Sequence, residues 1–183
     1  DLFLETHRYA YLMGGSMGFS KMEGTTVNIK DKVSYFALQN IQDSMVKGSK
    51  GWNAQSNIEL TKPLIAGAIM TSKLAGSQID QSGNALNSEW VPTTVSALMV
   101  GEDIEQDALG NLANPNKISN PDNLKFSEKL RTLFIGEDSS THVNNFIWAY
   151  NVDTKKLNRI ASMPSGAEAT GLGVVDNLNG WMY

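Results

Sequence analysis

Residues 122–137 read DNLKFSEKLRTLFIGE, and two other stretches of the chain follow the same plan. They are EGTTVNIKDKVSYFAL at residues 23–38 and EATGLGVVDNLNGWMY at residues 168–183. Each begins with a carboxylate, continues through a short apolar segment, turns at charged or Asn/Gly residues and enters a second apolar segment. The sequence therefore predicts the same pair of strands three times.

The spacing of these stretches predicts a β-propeller. Asp122 and Glu168 are 46 residues apart, about one propeller blade of ~40–50 residues. Glu23 and Asp122 are 99 residues apart, which fits two blades or one blade with an insertion. The region 52–116 is rich in Asn, Gln, Gly and Ser and has weak periodicity, which favours an insertion or long loops.

We therefore predict an all-β chain: a β-propeller fragment of roughly three blades, in one domain spanning residues 1–183. The alternative fold is a β-sandwich, which gives no reason for an acid at the start of each repeated strand. Further strands are expected where β-branched and aromatic residues cluster, at residues 33–38, 132–135 and 146–150. The last of these begins a predicted hairpin over residues 145–160.

Composition excludes several classes of protein and of site. A net charge of -4 offers no basic surface for a phosphate backbone, so we expect no nucleic-acid partner. The absence of cysteine excludes disulfides, thiolate ligands and a cysteine nucleophile within these residues. The longest apolar run, residues 63–70, is too short to span a membrane. The first residue is Asp1 rather than Met, and the last four residues resemble the start of a strand, so we expect a piece of a larger protein.

The three leading acids are candidate metal ligands. In a propeller, the innermost strand of each blade begins at one mouth of the central channel, so Glu23, Asp122 and Glu168 are expected to converge. Carboxylates placed close together repel one another, and a hard cation such as calcium removes that repulsion. The alternative is that each acid caps a turn or pairs with a nearby lysine.

Four further side chains are candidate site residues. Lys21 lies two residues before Glu23 and so projects to the same face of an extended chain, where it could hold a phosphate oxygen or form a salt bridge. Glu137 and His142 lie in the loop at residues 136–145, which we interpret as a substrate loop at the same mouth or as an ordinary solvated loop. Asn123 follows Asp122 and is a candidate substrate contact or part of an Asx turn.

Six short motifs, taken in order, resemble the PhoX-type alkaline phosphatases, and NPDNL is the most unusual of them. They are RYA at 8–10, FSKMEG at 19–24, NPDNL at 120–124, GED at 136–138, NNFIWAY at 144–150 and GAEATG at 166–171. The resemblance runs along nearly the whole chain and would cover the C-terminal part of such an enzyme.

The resemblance implies a periplasmic or secreted phosphomonoesterase, exported by a twin-arginine signal, that releases phosphate from organic phosphate esters. It implies a propeller with iron and calcium at its channel mouth and a monomeric parent enzyme. By position, Glu23, Asp122 and Glu168 are similar to metal ligands of that family, and Lys21 and Glu23 to its catalytic residues. The family's iron site also uses a cysteine, which this chain lacks, so we expect the isolated chain to hold an incomplete site.

Two other functions agree with the same carboxylates. Calcium-dependent lactonases and arylesterases are also propellers, and their channel calcium is held by Glu, Asn and Asp. The chain could also be a non-catalytic structural fragment in which the acids only organise turns.

Overall fold

The computed structural model describes residues 3–13 and 18–183. Eight strands in these ranges form two four-stranded antiparallel sheets, and within each sheet the strands follow chain order. The first sheet contains β1 (Met22–Asn28), β2 (Val33–Leu38), β3 (Ala68–Ala75) and β4 (Val91–Val100). The second contains β5 (Pro121–Ser127), β6 (Thr132–Glu137), β7 (Asn144–Asn151) and β8 (Lys156–Ser165). The mostly-β prediction is confirmed, and so is the hairpin formed by β7 and β8.

Helical structure is limited to three short elements in the described ranges. The helix α1 (Thr6–Leu12) precedes the first sheet, and two 3-10 helices, Asp43–Met45 and Ala54–Ser56, lie between β2 and β3. The sequence favours a helix at residues 9–13 that ends at Gly14 and Gly15, and those two glycines lie outside the described residues. Among the described residues, no helix has both the length and the apolar character to cross a membrane.

The 99-residue spacing seen in the sequence is a structural repeat. Thr25 pairs with Phe36 in the first sheet, and Leu124 pairs with Ile135 at the positions 99 residues further on. A β-bulge interrupts β1 just before Thr25 and β5 just before Leu124. Equivalent bulges at equivalent positions mean that the two leading carboxylates, which lie in these bulges, have the same local geometry.

Backbone conformation before each leading acid repeats as well. Lys21 has a φ of 46° and Asn120 a φ of 43°, and each lies two residues before its acid. Gly166 has a φ of 75° and lies two residues before Glu168. The chain therefore makes a left-handed turn at the same point in all three stretches.

The third stretch does not form the predicted strands. Within residues 166–183 backbone pairing is limited to the last nine residues, where Val175 and Tyr183 exchange hydrogen bonds of 2.7 and 3.1 Å around a tight turn. Gly171 and Gly180 take φ values of 68° and 89°, which interrupt an extended run. This stretch shares the start of the repeat with the other two but lacks a regular pair of strands.

The region 52–116 contains β3 and β4, and long loops flank and connect these two strands. One four-stranded sheet with long connections lies between Glu23 and Asp122. The strand β4 was not predicted from the sequence. Most of its residues are exposed, so its polar and apolar residues do not alternate as they do in a half-buried strand.

The two sheets pack face to face around one apolar core. Tyr35 and Phe126 stack across the interface with their ring centroids 5.8 Å apart. Gly24 in β1 approaches β5 so closely that an added Cβ would lie 2.3 Å from the carbonyl oxygen of Asp122 and 2.8 Å from the amide nitrogen of Leu124. This contact brings the starts of β1 and β5 together.

At the opposite end, Arg131 joins the two sheets. Its guanidinium pairs with Asp31, in the turn between β1 and β2, and with Asp153, in the turn between β7 and β8. It also donates a hydrogen bond of 3.2 Å to the side-chain oxygen of Asn28. The interface is thus held by apolar packing at its centre, by backbone contact at one end and by ion pairs at the other.

Candidate carboxylate site

The three leading acids lie at the end of the sheets where β1 and β5 begin. Glu23 lies in β1, Asp122 in β5 and Glu168 just after β8. Burial raises the pKa of Asp122, and the negative charges of Glu23 and Asp138 raise it further. The charge of Asp138 raises the pKa of Glu168, and partial burial, a hydrogen bond with Asp138 and the charge of Asp122 add to this. Asp122 and Glu168 are therefore close enough to other acids for a neighbouring negative charge to raise the pKa of each.

Asp138 is a fourth member of this carboxylate cluster and was not among the predicted ligands. It follows directly after β6, and its carboxylate accepts a hydrogen bond of 2.8 Å from Nε2 of Gln39. Gln39 occupies the position after β2, 99 residues earlier, so the two residues are equivalent in the repeat. Their amide nitrogens donate to equivalent carbonyls, Gln39 to Lys21 and Asp138 to Asn120, over 2.9 and 3.1 Å. The repeat itself was the signal that could have identified Asp138.

Lys21 supplies a positive charge beside the carboxylate cluster. Its ammonium pairs with the carboxylate of Glu23, which raises the pKa of Lys21 through this hydrogen bond and through charge. The side chain of Lys21 is half exposed. The structure therefore has the salt-bridge arrangement, with the ammonium group still open to solvent.

Asn123 joins two parts of the cluster. Its amide nitrogen donates a hydrogen bond of 2.6 Å to Asp122, and its amide oxygen accepts one of 2.9 Å from the backbone nitrogen of Gly171. The second bond ties the segment that carries Glu168 to the start of β5. Asn123 thus helps to set the distance between two of the acids.

Glu137 does not contact substrate, because it is fully buried. Oε1 accepts hydrogen bonds from the Ser119 amide at 2.8 Å and from Nε1 of Trp148 at 2.7 Å. Oε2 accepts from the Phe146 amide and from Nδ1 of His142, each at 3.0 Å. All four acceptor positions of the carboxylate are thus filled by the protein.

His142 is likewise an interior residue, and the substrate role predicted for it is replaced by a structural one. Its side chain is fully buried, and Nε2 lies 3.2 Å from the carbonyl oxygen of Asn114. The ring packs against Phe146 at a centroid distance of 5.2 Å. The pair of Glu137 and His142 therefore fastens the loop before β5 and the loop before β7 to the end of β6.

The donor set of the carboxylate cluster suits a hard cation. Carboxylate and amide oxygens are the ligands that calcium prefers, and a thiolate-seeking ion finds no partner in a chain without cysteine. In residues 3–13 and 18–183, no three His, Asp or Glu side chains are already arranged as a metal-binding group. Ion binding would therefore require these partly exposed side chains to reorient, starting with release of Glu23 by Lys21.

Replacing Asp122 by asparagine is expected to raise the Tm of the metal-free chain by about 1–3 °C at neutral pH. Burial and neighbouring negative charges raise the pKa of this carboxyl above its value in the unfolded chain. The stability linked to the raised pKa of this carboxyl is fully present below its pKa in the unfolded chain. It is lost as the pH rises through its pKa in the folded chain. Asparagine resembles the protonated form, so the difference in Tm should disappear at acidic pH.

Asp31→Asn is the matched control, with the opposite sign. Hydrogen bonds from Arg131 and Asn28 lower the pKa of Asp31, so its stabilisation is present at neutral pH and is lost as the pH falls through the folded pKa. This variant should melt below the wild type at neutral pH and approach it in acid. Thermal melts in a chelating buffer across the acid range measure both effects, and a lower neutral-pH Tm for Asp122→Asn would contradict the repulsion argument.

Comparison of the chain with protein-family models, with curated proteins and with solved structures gave no match.

Proposed function

We propose that this chain is part of a metal-dependent phosphomonoesterase of the PhoX type. The observation that supports the proposal is that Asp122 lies within reach of the charges of Glu23 and Asp138, and Glu168 within reach of those of Asp138 and Asp122. Acids that only cap turns have no reason to lie this close together at one end of two sheets. The six ordered motifs support the same family.

The propeller architecture belongs to the same proposal. Each sheet is a four-stranded antiparallel meander, the sheets pack face to face, and their first strands lie next to each other, as neighbouring blades do. In this proposal the two sheets are successive blades, and Glu168 marks the start of a third. The leading acids then line one mouth of the channel.

Glu23, Asp122 and Glu168 would hold calcium or iron, with Asp138 as a further oxygen donor. A bound cation of this kind neutralises phosphate oxygens and lowers the pKa of a coordinated water. The chain contributes carboxylates only, so any softer ligand of an iron site would come from other residues of the enzyme.

Lys21 would bind the substrate phosphate. Its ammonium now pairs with Glu23, and it becomes available when that carboxylate takes a cation as its partner. A lysine ammonium is a compact charge with three donors and can follow a phosphate oxygen as negative charge shifts. Asn123 keeps the start of β5 and the Glu168 segment together, so that the acids stay in register.

The test is hydrolysis of p-nitrophenyl phosphate and of a lactone by the full-length protein that carries this chain, supplied with calcium and iron. We expect phosphate release that falls at least about 100-fold in Asp122→Asn. The control is Glu89→Gln, which removes an exposed carboxylate that pairs with Lys32 in the turn at the opposite end of the first sheet. Lactone turnover without phosphate release would assign the protein to the calcium-dependent lactonases, and no turnover of either substrate would make it a structural module.

A further inference from the structure

The outer edge of the first sheet is a long strand without charge. The strand β4 (Val91–Val100) reads VPTTVSALMV and contains no Asp, Glu, Lys or Arg. It is the last strand of its sheet and, in the described ranges, pairs only with β3. Its free edge therefore offers a row of backbone donors and acceptors to another strand.

The corresponding edge of the second sheet is protected. The strand β8 carries Lys156 and Arg159, both exposed, and Pro164 near its end. Exposed charge and proline are the usual devices that keep an edge strand from pairing with another chain. Only Pro92, at the second position of β4, serves that purpose in the first sheet, and the eight residues after it contain no charge, proline or glycine.

The composition of β4 favours pairing with itself. In an antiparallel pair about a two-fold axis, each side chain faces a side chain from the same strand, so a charged strand would place like charges opposite one another. The strand β4 has no charged residue, so no such repulsion arises. Thr93, Thr94, Val95 and Val100 are β-branched, and Val95 and Val100 are each nearly half exposed, at 48% and 44%. Such uncharged β-branched segments pair readily.

We propose that β4 is a homodimerisation edge, at which two copies of the chain pair their β4 strands antiparallel to form one eight-stranded sheet. The two-fold axis would pass near the middle of the strand, at Val95, so that this residue faces its own copy on the second chain. Because this contact uses the same patch on both copies, it closes at two. It lies on the strand furthest from β1 in its sheet, so it leaves the carboxylate cluster open. The proposal replaces the expectation of a monomer and does not depend on the proposed enzymatic function.

Sedimentation velocity over a wide range of protein concentration tests the proposal. We expect a concentration-dependent monomer–dimer equilibrium that Val95→Lys weakens at least about tenfold, because two lysines would then face one another near the axis. Val95→Thr keeps the β-branched shape without charge and should retain the dimer. Asn158→Lys, on exposed β8, adds the same charge to the other edge and should also leave the dimer intact. A chain that stays monomeric, or a dimer that Val95→Lys leaves unchanged, would overturn the proposal.

Cysteine cross-linking gives an independent test if Val95→Lys fails to fold. The chain has no cysteine, so Val95→Cys introduces a single thiol at the proposed axis. Under mild oxidation this variant should form a disulfide-linked dimer much faster than Asn158→Cys on β8. Equal rates of cross-linking for the two variants would indicate random collision and would contradict pairing through β4.

Discussion

Glu137→Ala is expected to lower the free energy of unfolding by about 3–5 kcal/mol, because it leaves several buried donors without a partner at a cost of about 1–3 kcal/mol for each group. The fully buried carboxylate accepts four hydrogen bonds, from the amides of Ser119 and Phe146, from the Trp148 indole and from His142. Alanine leaves all four donors buried without a partner. In a chain of this size, such a loss lowers the Tm by about 10 °C.

Denaturant unfolding followed by circular dichroism measures this effect. Glu137→Gln should cost less than alanine, since the amide oxygen keeps two of the acceptor positions while the amide nitrogen faces two donors. Glu89→Gln, an exposed change, should stay within about 0.5 kcal/mol of the wild type. A loss below about 1 kcal/mol for Glu137→Ala would mean that water or rearranged side chains satisfy the four donors.

Gly24→Ala is expected to destabilise the chain by about 3 kcal/mol and to weaken the cation binding proposed above together with stability. The new Cβ would lie 2.3 Å from the carbonyl oxygen of Asp122 and 2.8 Å from the amide of Leu124. Both are backbone atoms, so no side chain can move aside and β1 must separate from β5. That separation also moves Glu23 away from Asp122.

Gly173→Ala is the matched control, because its Cβ would meet nothing within 4 Å and its φ lies outside the left-handed region. Denaturant unfolding and calcium titration by calorimetry should be unchanged in this variant. If Gly24→Ala behaves like Gly173→Ala, the close approach of β1 and β5 does not hold the acids together.

Three of the four inner strands, β2, β6 and β7, could be predicted from sequence because they are largely buried. The fourth, β3, was not predicted. The strand β2 occupies the predicted residues 33–38, and β6 extends the predicted 132–135 by two residues. The outer strand β4 was not found, since an exposed edge strand needs no regular alternation of apolar residues. The third stretch was assigned strands from its likeness to the other two, but its glycines favour turns.

The site was predicted in part. The leading acids could be grouped because a repeat places equivalent residues in equivalent positions. The negative charges of neighbouring acids raise the pKa of Asp122 and of Glu168, which agrees with that grouping. Glu137 and His142 were misread because an acid and a histidine in a polar loop suggest exposure. Their burial depends on Trp148 and Ser119, which are distant in sequence, and such contacts leave no mark on a local pattern.

The meander within each sheet bears on how the chain folds. Every strand pairs with its neighbour in sequence, so contacts within each sheet are more local than contacts between the sheets, and the second sheet closes only short turns. Contacts between the sheets, such as Ile29 with Glu128, join residues 99 positions apart. Bringing such distant positions together costs more loop-closure entropy. We therefore expect each sheet to collapse on its own during synthesis, with docking of the two preformed sheets as the slow step that assembles the carboxylate cluster last.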